Sequence, residues 1–143
     1  MNKTEVNKKI VKVLKKMGYV PKIDEDNDVG FRYQLKWVYV LVTSDDEKEE
    51  HPLLCVSLTR IYEFDNNSKE EKAGALIISN DITQEKALTK VTVDLKRGFV
   101  NAHAMVMYTN EKAMELHFEK TLSCDEFGNV SSEFRRRMTY LPE

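Results

Sequence analysis

Several protein classes need something this sequence lacks. Its two cysteines, Cys55 and Cys124, are too few for a disulfide framework. No Cys-x-x-Cys occurs, and His51, His103 and His117 stand scattered with no helical metal-ligand spacing, so no zinc-type motif is present. The five glycines never cluster, which leaves no phosphate-cradling loop. No run approaches membrane-spanning length, and the opening MNKTEVNKK has no apolar signal core, so a cytoplasmic protein is expected. A net charge of -2 gives no reason to expect nucleic acid or an anionic membrane as partner. No catalytic pattern stands out: a Cys124 nucleophile would need a distant histidine, and nothing groups titratable residues together. The expectation is a protein without catalytic residues, metal or cofactor.

What the sequence does have is one domain's worth of chain. Its 143 residues suffice for one core, and residues 1–143 show no repeat or linker. An apolar fraction of 41% against 32% charged implies an adequate core under a heavily charged surface. The organising stretch runs from Val29 to Leu58. Its short runs rich in Val, Phe, Tyr, Leu and Trp, split by polar residues, predict consecutive antiparallel strands at 29–34, 37–44 and 53–62. Leu35-Lys36 is expected to connect the first two as a hairpin, although it lacks the usual Gly or Asn. The middle strand is apolar on both faces, with Trp37, Tyr39 and Leu41 opposite Val38, Val40 and Val42.

Residues 4–17 predict an amphipathic helix, with Val6, Ile10, Val13, Leu14 and Met17 on one stripe and a solvated lysine face opposite. Thr4 is its expected N-cap and Gly18 its C-terminal stop. Tyr19 to Ile23 runs extended around Pro21 as a short edge strand, followed by a turn at Asp24 to Asp28. The acidic loop 44–52 is expected to be exposed and mobile. A second helix opens at Asn67 or Ser68 with Glu70 and Glu71 in its first turn, carries AGALII at 73–78 and ends near Asn80 to Thr83. Lys90 to Leu95 is a strand with Val91, Val93 and Leu95 inward. Phe99 to Tyr108 returns with Val100, Ala102, Ala104 and Val106 on one face. A third region, capped by Thr109 or Asn110, is expected to be helical, although MELHFE at 114–119 alternates like a strand; it carries the stripe Phe127, Val130, Phe134 and Met138 and breaks at Gly128-Asn129. The expected fold is α+β, a single antiparallel sheet backed by helices in the order α-β-β-β-α-β-β-α.

That order and several local phrases resemble the YbjN family of bacterial sensory-transduction regulators. The phrases are Gly18-Tyr19 after the first helix, the extended Pro21–Asp24, and Phe31-Arg32-Tyr33-Gln34 leading into Trp37–Val42. Asn80-Asp81-Ile82-Thr83, the strand Lys90–Asp94 and Phe134-Arg-Arg-Arg-Met138 complete the set, which covers nearly the whole chain. The resemblance implies a fold like that of type III secretion chaperones, small acidic proteins that dimerise and bind extended protein segments. It supplies no catalytic residues.

Two local features bear on sites. Asp24-Glu25-Asp26-Asn27-Asp28-Val29-Gly30 places carboxylates at alternate positions as a calcium loop does, but the glycine comes one place late and Leu35 stands where a bidentate Glu belongs; a polar turn explains it better. Cys55, in an apolar strand, reads as a small core residue. The functional expectation rests on the sheet face away from the helices, assigned Trp37, Tyr39, Leu41, His103, Met105 and Met107 as partner-binding residues, because aromatics and methionines make adaptable contacts. The expected function is a non-catalytic protein-binding module, chaperone-like or regulatory, acting on a protein partner and forming a homodimer. A regulatory domain that senses a small ligand is the alternative.

Overall fold

The computed structural model describes residues 1–141. The first helix, α1 (Lys3–Lys16), begins one step earlier than the sequence suggests. Asn2, not Thr4, is the N-cap: its backbone is extended and its side-chain oxygen accepts the Glu5 N–H at 2.9 Å. At the other end Gly18 takes φ +96°, and the N–H groups of Gly18 and Tyr19 return to the carbonyls of Lys15 and Leu14, both at 3.0 Å. That Schellman closure needs a left-handed residue, which glycine supplies without strain. Lys9, Lys12 and Lys16 of the lysine face reach Glu111 and Glu115 on a later helix at 3.0–3.5 Å.

Six strands form one antiparallel sheet: β1 (Lys22–Ile23), β2 (Val29–Tyr33), β3 (Lys36–Val42), β4 (Leu53–Glu63), β5 (Lys90–Asp94) and β6 (Phe99–Met107). Their order across the sheet is β1-β2-β3-β4-β6-β5, so the pairing of β4 with β6 joins strands from opposite halves of the chain. The β2–β3 turn is Gln34-Leu35 and not Leu35-Lys36, because Tyr33 pairs with Lys36. Both turn residues have positive φ, +50° and +66°, the geometry of a type I′ turn whose twist matches the strands. Near its end β4 bulges: Leu58 faces Ala102 and Tyr62 faces Val100, while Arg60 at φ +53° gives its N–H to the Asn101 side chain at 2.8 Å.

The helices share one side of the sheet. These are α1, α2 (Lys69–Glu85), α3 (Glu111–Thr121) and α4 (Val130–Thr139), with a single π-helical turn at Cys124–Gly128 before the last. One core joins Val6, Ile10 and Leu14 of α1, Ile78 and Ile82 of α2, Met114 and Phe118 of α3, and Phe134 of α4 to the strand residues Phe31, Val38, Val40, Leu54, Val56, Leu58 and Val100. The small pair Ala102 and Ala104 is buried there as expected. The α+β class, the single antiparallel sheet and its helical backing therefore match the sequence reading.

Other boundaries differ for local reasons. Helix α2 continues to Glu85, beyond the expected stop at Asn80 to Thr83, because Ile82 is buried and the Thr83 hydroxyl accepts the Val91 N–H at 2.8 Å. Its start is as expected: Ser68 caps the Glu71 N–H at 3.1 Å. Leu95 does not point inward; strand β5 ends at Asp94, and Leu95, 43% exposed, lies in the turn closed by the Gly98 N–H on the Asp94 carbonyl. The last helical region breaks at Gly128-Asn129 as expected, where the π-helical turn ends and α4 begins at Val130, and it breaks once more after α3. There the Gly128 N–H reaches back five residues to the Ser123 carbonyl at 2.7 Å, and a Cβ on Gly128 would stand 3.0 Å from that same oxygen. The break turns the Glu126 carboxylate onto the Leu88 N–H and the Thr89 hydroxyl while Phe127 enters the core. The acidic loop 44–52 is exposed apart from the half-buried Glu49 and the buried Pro52, and it is tied to the N-terminal end of the chain: the Met1 ammonium donates to the Glu47 and Glu49 carbonyls at 2.9 and 2.6 Å, and the Lys3 N–H to Asp45 at 2.8 Å.

Candidate functional site: the open face of the sheet

Alternation along the strands fixes what the second face displays. With Val38, Val40 and Val42 buried under the helices, Trp37, Tyr39 and Leu41 must point away. The same logic on β6 sends His103, Met105 and Met107 outward from the buried Ala102, Ala104 and Val106. All six residues expected at the site lie on this one face. Register sets them in rows: Gly30, Tyr39, Ser57, His103 and Lys90 across five strands, then Leu41, Cys55 and Met105, then Leu53 and Met107. None of Trp37, Tyr39, Leu41, Cys55, Met105 or Met107 belongs to the core or to the side chains packed against it. Met105 and Met107 remain 46% and 53% exposed.

The aromatic end is preorganised. Trp37 and Tyr39 stack with centroids 6.1 Å apart, and the Arg32 guanidinium lies 4.7 Å from the Trp37 ring centre. Tyr39 lies over Gly30, where a Cβ would come within 2.8 Å of the ring. Glycine at position 30 is what lets the ring lie flat on the sheet.

A trough of about 760 Å³ crosses this face, with Trp37, Tyr39, Ser57 and Thr59 in its floor. Its two ends carry opposite charge. At one end stand Asp24, Asp26 and Asp28 of the β1–β2 turn; at the other stand Arg60 on the β4 bulge and Arg97 in the β5–β6 turn, beside Phe99. Helix α1 builds the acidic end. Its buried Asn7 amide donates to the Asn27 carbonyl at 2.8 Å and holds that residue at φ +59°. Lys3 pairs with Asp28 at 2.9 Å. The guanidinium of Arg60 reaches Glu63 at 3.4 Å and sits 5.1 Å from the Phe99 ring, while Arg97 is 3.9 Å from Asp94.

The three aspartates are the residues here that could meet a cation, since their carboxylates lie within 4.8 Å of one another. Two are already engaged. Asp24 accepts the N–H groups of Asp26 and Asp28 at 3.0 and 2.9 Å, and Asp28 holds Lys3. On the rest of the face, burial and then the Lys90 ammonium hold the His103 pKa below its usual value. Burial pushes the Cys55 thiol up.

Cys55 is the one site residue that the sequence reading places wrongly. It is half-buried on the open face between Leu41 and Met105, because Leu54 and Val56 on either side take the core positions. Strict alternation along β4 could have found it, together with Leu53 and Ser57. Arg60, Arg97 and Asn101 had no such signal, since the bulge and the strand crossing that gather them are not local in sequence.

Among the described residues, no helix is long and apolar enough to cross a membrane. The chain matches no family model, no curated protein and no solved structure.

Proposed function

We propose that this protein is a non-catalytic protein-binding module of the YbjN kind, chaperone-like or regulatory, which engages another protein through the open face of its sheet. The observation that carries the reading is the contiguity of Trp37, Tyr39, Leu41, Cys55, Met105 and Met107 on a face that contributes nothing to the core. Apolar side chains in register form a patch and not scattered singletons, and patches of this kind mark contact sites. The stacked aromatics are rigid anchors and the methionines adaptable contacts. The likeness to type III secretion chaperones agrees with this use of a sheet as a docking plate, as an analogy of fold.

A second reading, a sensor of small ligands, draws on the trough of about 760 Å³, a volume within the range of ligand pockets. Its floor is a sheet face open to solvent, which suits a macromolecular contact better than an enclosed ligand.

The test is Trp37→Ala combined with Met105→Ser. A protein captured by the wild-type chain is expected to bind the variant with affinity reduced by about one to two orders of magnitude, as for a lost hot spot, with thermal stability nearly unchanged. Unfolding of the variant, at a cost of roughly 4 kcal/mol as for an emptied core, would show the face to be interior and overturn the reading.

A further inference from the structure

Trp37 borders three hollows of the surface, and each of them holds cations. The trough of about 760 Å³ has Arg60 and Arg97 at one end. A hollow of about 370 Å³ beside the β4 bulge has Lys36, Arg60 and Arg135, and one of about 480 Å³ beside β1 has Lys22 and Arg32. Six cations from separate parts of the chain thus gather about one aromatic side chain, in a protein whose net charge is -2. We propose that the partner docks on this part of the open face with an acidic segment, its carboxylates on these cations and a neighbouring apolar side chain on Trp37 and Tyr39; the inference rests on the reading of that face as a protein-binding surface.

Elsewhere the chain pairs its cations closely. Arg137 meets Glu85 at 2.6 Å and Glu133 at 2.7 Å, and Lys12 and Lys16 meet carboxylates of α3 at 3.1 and 3.0 Å. Around Trp37 the charges are left loose. Among the described residues, Lys22, Arg32, Lys36 and Arg135 form no salt bridge. Arg32, Lys36 and Arg135 donate only to the backbone carbonyls of Leu35, Arg60 and Ser131, at 3.3, 3.1 and 3.4 Å. Arg60 and Arg97 have long contacts on exposed side chains, 3.4 Å to Glu63 and 3.9 Å to Asp94. An anionic occupant would relieve their mutual repulsion and supply the missing charge-assisted hydrogen bonds. The aspartates at the trough's other end decide which anion. A single-stranded nucleic acid bears a phosphate at every step, so a strand laid along the trough would meet Asp24, Asp26 and Asp28. Arg32 also lies over the Trp37 ring at 4.7 Å, in the place a stacking base takes. A peptide is negative only where its Glu and Asp stand, and apolar residues can follow them toward the aspartates.

The test titrates the full chain with synthetic probes and reads the fluorescence of Trp37, its single tryptophan. One probe peptide flanks a Leu-Phe centre with Glu and Asp, a second carries Lys and Arg in their places, and a third probe is an oligouridylate. The acidic peptide is expected to bind at least about tenfold more tightly than either of the others, and to weaken as salt is added. Arg97→Glu with Arg135→Glu is expected to raise its dissociation constant by about tenfold or more, and the milder pair Arg97→Gln with Arg135→Gln by about threefold should the reversal disturb the fold. Lys8 and Lys15 of α1 are exposed and away from these hollows. Lys8→Glu with Lys15→Glu changes the net charge as much as the arginine reversal does, and is expected to leave the constant within about threefold, because exposed charges far from the site are screened. An acidic peptide that binds no more tightly than the basic one overturns the proposal. So does a preference for the oligouridylate, and so does an equal loss in the lysine and arginine variants while their circular dichroism matches the wild type. A captured protein partner that is lost on Trp37→Ala with Met105→Ser but held undiminished by Arg97→Glu with Arg135→Glu would overturn the acidic segment alone and leave the broader reading standing.

Discussion

At the residue scale, the open face is tuned by which single atoms are missing or neutral. Gly30 has no Cβ, and the Tyr39 ring occupies that space. His103 stands in the same row with Lys90 on the neighbouring strand, and burial and that ammonium together lower its pKa. The sign of the consequence is fixed. A histidine with a lower pKa in the folded state binds fewer protons there than in the unfolded chain, so folding stability rises with pH across the interval between the two values. Melting temperature is therefore expected to fall as the pH drops from about 7 to about 5, the range in which an unperturbed histidine takes up its proton, and His103→Gln is expected to flatten that slope. A parallel decline in wild type and variant would remove His103 from the account. Residue identity on this face was legible wherever alternation holds: Trp37, Tyr39, Leu41, Met105 and Met107 sit where a period of two puts them. It failed at Cys55, where hydrophobicity was read in place of phase.

Most element ends set by local chemistry were also legible, the Asn2 cap of α1 being the exception. Ser68 and Asn110 cap α2 and α3 through their side-chain oxygens, and Gly18 stops α1. Ends set by tertiary contact were not. Helix α2 runs on because Ile82 has a core to enter, and the π-helical turn forms because Glu126 finds Leu88 and Thr89 across the fold. The Glu71 carboxylate behaves similarly. Its partial burial would raise its pKa, yet it sits below the carboxylate range, held by the Tyr62 hydroxyl and the N–H groups of Asp65, Asn67 and Asn66. The β2–β3 hairpin adopts a turn its residues do not favour. Gln34 and Leu35 both occupy the left-handed region, and Leu35 is 91% exposed. Gln34→Asn with Leu35→Gly supplies the residues this turn prefers and is expected to stabilise the domain by about 1 kcal/mol, read as a rise of a few degrees in melting temperature. A lower melting point would show that Leu35 makes a contact the geometry does not suggest.

On the scale of the whole molecule, the acidic turn is a packed part of the fold, with Asn7 and Lys3 of α1 holding it from behind. Those contacts are expected to hold the turn without a bound ion. A chelator is expected to leave the melting temperature unchanged, whereas a drop of several degrees would reveal a cation bound in the native state.

The pairing of β4 with β6 has a kinetic consequence. Each part of the sheet is built from strands near in sequence, four strands, β1 through β4, on one side and the β5–β6 hairpin on the other, and such local pairs close quickly. Leu54 meets Val106, and Val56 meets Ala104, only after the chain has passed through α2 and β5. That one seam carries the loop-closure entropy of the domain. Until it closes, the inward valines of β3 and β4 and the alanines of β6 face solvent on two unjoined ribbons, so the passage from nascent chain to native domain is governed by how soon the two ribbons find each other.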